Sequence, residues 1–75
     1  MNSNMQKIYS EVSGSIWKVE VVAGQTVAAG DVLMIVESMK MEIPVDAPAT
    51  ARVAEIFVAE GDTVSEGQLL ARLQA

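Results

Sequence analysis

The residues of this chain that could do chemistry are concentrated in one short stretch, Glu37-Ser38-Met39-Lys40-Met41-Glu42. There is no Cys and no His, which removes thiol nucleophiles, disulfides, zinc sites of the usual Cys/His kind and imidazole acid–base catalysis. Carboxylates and amines remain. Ten Asp and Glu against five Lys and Arg give a net charge of −5, the opposite of the clustered cations that a nucleic-acid footprint needs, so no nucleic-acid partner is expected. The carboxylates come with no cleft-forming length of chain and no partner set, so an enzyme in its own right is disfavoured. Lys40 reads instead as an amine displayed for chemistry, with Met39, Met41, Glu37 and Glu42 as the features a partner recognises. Singly, a surface lysine is ordinary solubilising charge and a methionine is core filler. Their combination and their place in the chain argue otherwise.

That place is set by a repeat. Displacing the sequence against itself by 37 residues superposes 15–33 on 52–70. Val21/Val58, Gly24/Gly61, Thr26/Thr63, Val27/Val64, Gly30/Gly67 and Leu33/Leu70 are identical, and Ile16/Val53, Val19/Ile56 and Val36/Leu73 are aliphatic in both copies. The shared frame is apolar, Gly-x-x-Val-x-x-Gly, apolar. β-Branched residues dominate it, alternation shows in Ile16-Trp17-Lys18-Val19 and Val19-Glu20-Val21, and the glycines mark tight turns that need positive φ. Closely spaced strands and turns predict an all-β sandwich or barrel whose two interlocked halves, 15–37 and 52–74, are related by a pseudo-twofold axis. With only Tyr9, Trp17 and Phe57 as aromatics, the core must be aliphatic.

Lys40 falls midway between the copies. Apolar strand character precedes it (Val32 to Val36) and follows it (Ile43, Val45), so a β-hairpin over 37–46 with Met39-Lys40 at its tip is the simple connection. Two-residue hairpin turns favour Asn-Gly or Asp-Gly because both central residues need φ > 0, and Met-Lys has no such preference. Pairing outward sets Ser38 opposite Met41 and Glu37 opposite Glu42, and like charges directly opposite cost on the order of 0.2–1 kcal/mol. A turn that violates local preferences marks a functional site. Lys7 in a polar leader and Lys18 on a strand face carry no comparable signal.

Glu37-Ser38-Met39-Lys40-Met41-Glu42 resembles the Glu-Ala-Met-Lys-Met biotin-attachment motif of biotin carboxyl carrier domains, and the flanking Gly-x-x-Val-x-x-Gly-Asp-x-Leu frames are similar to theirs, over roughly Ser10 to Leu73. The resemblance implies a flattened barrel-sandwich of two four-stranded antiparallel sheets with a quasi-twofold axis, the lysine at one end and both termini at the other. It implies that Lys40 receives covalent biotin from a biotin protein ligase, that Met39 and Met41 flank the attachment site, and that Glu37 helps exclude the wrong ligase. The partners would be that ligase, a biotin carboxylase and a carboxyltransferase, and the chain a non-catalytic carrier. A free lysine amine, of ordinary pKa ~10.4, is mostly protonated at neutral pH, so the activating base belongs to the ligase. Acylation of one cation would take the net charge from −5 to −6.

The chain departs from the family pattern at Ser38, where Ala is usual, at Ala51, where Gly is common, and at Ser10-Glu11-Val12-Ser13-Gly14, which lacks the usual Pro. A lipoyl domain shares the fold but usually has Asp before its lysine and a small residue after it. An unmodified structural module of the efflux-adaptor kind would leave Met-Lys at the turn unexplained. The longest apolar run, Val32-Leu33-Met34-Ile35-Val36, is far short of the ~20 residues that span a bilayer, and the polar start is no signal segment. One domain over 10–75 after a short leader and first-strand start over 1–9, without membrane contact and cytoplasmic, is expected, as a free-standing carrier or an excised domain.

Overall fold

The computed structural model describes residues 5–75. Eight strands and, among the described residues, no helix make up the chain: β1 Met5–Tyr9, β2 Gly14–Val19, β3 Thr26–Val27, β4 Val32–Ser38, β5 Met41–Asp46, β6 Ala51–Ile56, β7 Thr63–Val64 and β8 Leu69–Gln74. Two four-stranded sheets form, in the orders β1-β8-β6-β3 and β5-β4-β2-β7, with every pairing antiparallel. The all-β barrel-sandwich expected from the sequence is the observed architecture. Of the leader and first-strand start expected over 1–9, residues 1–4 lie outside the described residues. Met5–Tyr9 form a full strand along β8, with Lys7 exposed opposite Arg72.

The repeat is visible in the ladders. Shifting by 37 residues turns β2 into β6, β3 into β7 and β4 into β8, and it exchanges the two sheets. Each short strand is lent to the other copy: β3 pairs with β6, and β7 with β2. Neither copy therefore completes a sheet alone. The loops repeat bond for bond, since Gly24 N–H donates to Val53 O at 2.7 Å while Gly61 N–H donates to Ile16 O at 2.8 Å. Ala28 N–H reaches an Asp31 carboxylate oxygen, and its counterpart Ser65 N–H reaches Gln68 Oε1, both at 2.9 Å. Gly24, Gly30, Gly61 and Gly67 all sit at positive φ between 85° and 94°, where a side chain would be strained.

The core is aliphatic and matched across the axis. Leu33 and Leu70 are fully buried, as are Val36 and Leu73, with Ile16/Val53 and Val27/Val64 beside them. Each such side chain contributes about 1.5–3 kcal/mol on leaving water. The three aromatics stay outside, each between 42% and 49% exposed. Strict alternation breaks at one place the sequence read as regular. A bulge between Ile16 and Lys18 skips Trp17 in the pairing with β4, so Trp17 and Lys18 both face solvent, with the Lys18 ammonium 5.7 Å from the indole centre. The second copy has the matching bulge between Val53 and Glu55. Among the described residues no helix is long and apolar enough to cross a membrane.

Candidate functional site

β4 and β5 form the longest paired hairpin in the molecule, with Ser38 opposite Met41, Glu37 opposite Glu42 and Val36 opposite Ile43. This is the register that the sequence required. Met39 (φ 53°) and Lys40 (φ 66°) are the only non-glycine residues at positive φ among the described residues. Both central positions of the two-residue turn are left-handed, as a type I′ hairpin demands, and side-chain-bearing residues there cost roughly 1–2 kcal/mol each. Asn and Gly would avoid that cost. The strain is sustained because Val36 at the base of the hairpin is fully buried and the ladder holds both strands.

The tip projects into solvent. Met39 is 92% exposed and Met41 63%, whereas Met34, one turn of the pleat into the core on β4, is 0%. A position chosen for burial would not leave two thioethers in water, so the flanking methionines are surface features and not core filler. Lys40, Glu37 and Glu42 are all exposed. Among the described residues the one ion pair is Arg72–Glu55 at 3.1 Å, so the Lys40 ammonium has no carboxylate partner. No group of three or more acidic residues suited to a metal ion occurs among the described residues. A covalently attached acyl group needs no cradle, only an amine that an approaching enzyme can reach, and the donor set here is one exposed primary amine on a rigid turn.

Below the tip lie residues that the sequence marks only as departures from the family pattern, with no role. Ser38 is half-buried, and its hydroxyl donates to the Ser13 carbonyl oxygen at 2.7 Å. The Ser13 hydroxyl oxygen in turn accepts from Glu66 N–H at 3.0 Å. Gly14 opens β2 directly beside Glu37: a Cβ there would overlap the Glu37 carbonyl oxygen and lie 3.1 Å from its carbonyl carbon. The available signal was the mismatch of Gly14 with Ala51 between the two copies.

A hairpin-displayed lysine on a two-sheet barrel-sandwich of duplicated halves defines a biotinyl/lipoyl-type attachment domain. The Biotin_lipoyl family model, described as "Biotin-requiring enzyme", matches residues 4–73, and the chain belongs to that family. It is 44% identical over 63 residues to the Biotin/lipoyl attachment protein of Bacillus subtilis (strain 168), covering 84% of this chain and 86% of that protein. Urea amidolyase of Lachancea kluyveri is 46% identical over 69 residues, which is 92% of this chain but 4% of that protein. The crystal structure of the Kluyveromyces lactis urea carboxylase superposes with a TM-score of 0.89 at 36% identity, over 97% of this chain and 6% of that one. The chain thus matches most of one small attachment protein and a small fraction of two large enzymes.

Proposed function

We propose that the protein is a biotin carboxyl carrier whose Lys40 is acylated by a biotin protein ligase, and that it serves a biotin carboxylase and a carboxyltransferase in the cytoplasm without catalysing either step. The observation that carries the reading is the pairing of an exposed, unpaired lysine with two exposed methionines at the only strained non-glycine turn among the described residues. In the acylation step the Lys40 Nζ gives up a proton to a base of the ligase and attacks the carbonyl carbon of biotinyl-adenylate. An amide bond forms and AMP leaves. When attached, biotin supplies a carrier for CO₂ between the two partner active sites.

The chain's own residues supply presentation. The β4–β5 ladder holds the turn stiff, so the flexible length lies in the lysine side chain and whatever it bears. A tether of fixed origin raises the effective concentration of the attached group at both partner sites. Met39 and Met41 offer polarizable apolar surface on either side of the amine, which suits recognition by a ligase that must accept this lysine and reject Lys7 and Lys18. Glu37, exposed on the rim, adds a charge by which the wrong ligase is turned away. The domain doing this is proposed over 10–75, and β1, just before it, forms one edge of its sheet.

Intact mass measured after incubation with a biotin ligase, biotin and ATP tests the reading. The wild-type chain is expected to gain one biotinyl group and Lys40→Arg none, with circular dichroism and melting unchanged. Biotin on the Lys40→Arg chain would move the attachment elsewhere. A lipoyl adduct on Lys40 from cells supplying both ligases would replace biotin with lipoate.

A further inference from the structure

We propose that Ser13 and Gly14 form a seat that fixes the direction in which the β4–β5 hairpin presents Lys40, acting as positioning residues for its acylation. The kinetic part of this proposal rests on the biotin reading above; the structural part does not.

Gly14 differs from the four turn glycines. Those sit at positive φ with open space where a Cβ would stand, and they are required for conformation. Gly14 has no positive φ, and the space its Cβ would need is already filled by the Glu37 carbonyl and, at 3.2 Å, by Ser38 Cβ. It is required for close approach. The obstacle is mainly backbone, so no side-chain rotation relieves it. Any residue larger than Gly at 14 displaces Glu37, the third residue before the amine-bearing position. β4 ends at Ser38 and the turn follows directly, so the turn and the lysine side chain form a lever and a small tilt at Glu37 becomes a larger swing at Nζ.

Ser13 locks the same joint from the other side. Its carbonyl oxygen takes the Ser38 hydroxyl, and its hydroxyl oxygen takes Glu66 N–H from the turn between β7 and β8. The hairpin base is thereby tied through β2 to the opposite repeat copy. The symmetry-equivalent position shows that this close approach is particular to the attachment end. Gly14 corresponds to Ala51, which is 4% exposed and keeps its methyl group within the core. Gln74, the counterpart of Glu37, pairs instead with β1 and β6.

The test uses the whole chain as Gly14→Ala and as Ala51→Gly, with three measurements. With a biotin protein ligase, Gly14→Ala is expected to lose about tenfold in kcat/KM, because the amine is no longer presented in line for attack. Its reaction with an N-hydroxysuccinimide ester of biotin, which reads amine exposure alone, stays unchanged. Amide resonances of residues 37–41 shift. Ala51→Gly is expected to change none of the three. Wild-type kinetics and unmoved hairpin resonances in Gly14→Ala would overturn the proposal, as would an equal loss in Ala51→Gly. If Gly14→Ala fails to fold, Ser13→Ala takes its place, with an expected threefold or so loss in the same pattern, and normal kinetics there would overturn it. If the wild-type chain takes no biotin, the biotin reading fails and the resonances alone decide whether the seat exists.

Discussion

At the end of β4 the chain turns back through Met39-Lys40 and pairs with β5, whereas its counterpart β8 lies between β1 and β6. These two ends descend from the same repeat frame and have been used differently. The β8 end keeps the ordinary features of a sheet: Ala51 packed in the core, Arg72 paired with Glu55 at the surface, and no strained residue. The hairpin end departs from good local design at each step. Two side-chain-bearing residues are held left-handed, two carboxylates face each other, two methionines stand in water and a glycine is needed underneath. A duplicated scaffold gives a direct reference for the glycine, because at the equivalent position Ala51 keeps its methyl group in the core.

The comparison can be broken at the core first. Leu33→Ala and Leu70→Ala remove equivalent, fully buried side chains, and each is expected to cost about 2–5 kcal/mol in urea unfolding. Costs that agree within about 1 kcal/mol would show that the scaffold is energetically as well as geometrically duplicated. Unequal costs would place the functional asymmetry in the core itself.

The turn sharpens it next. Met39→Asn relieves one left-handed methionine, and a gain of about 1 kcal/mol in unfolding free energy is expected. The same change removes an exposed thioether beside Lys40, so biotin transfer is expected to slow while the protein becomes more stable. A variant that is both more stable and biotinylated at the normal rate would remove Met39 from partner recognition.

The smallest effect lies at the rim. Glu42→Gln relieves the repulsion with Glu37 directly opposite, and a gain of a few tenths of a kcal/mol is expected at low salt. It should fade in 1 M salt, where screening shortens the Debye length to about 3 Å. A gain that persists at high salt would mean that the pair is not electrostatic in its effect.

Much of this was legible in the sequence. The 37-residue repeat located the turns, the β-branched frame located the strands, and the Glu37–Glu42 register followed from putting Met39-Lys40 at the tip. The first-strand start expected within 1–9 is a strand over Met5–Tyr9, and only its pairing with β8 escaped reading. The bulge at Trp17, which lets two consecutive side chains face water, escaped as well. Gly14, named in the sequence only within a segment lacking the usual Pro, is a clearance residue.

By itself the sequence determined periodicity, turn positions and the identity of the one odd amine, because those depend on residues near one another along the chain. Tertiary structure decided the lending of β3 and β7 between the copies and the lock of Ser13 and Gly14 beneath the hairpin. Both are contacts between segments far apart in the chain. Excluded volume and hydrogen-bond geometry act on such segments only once they have been brought together in space.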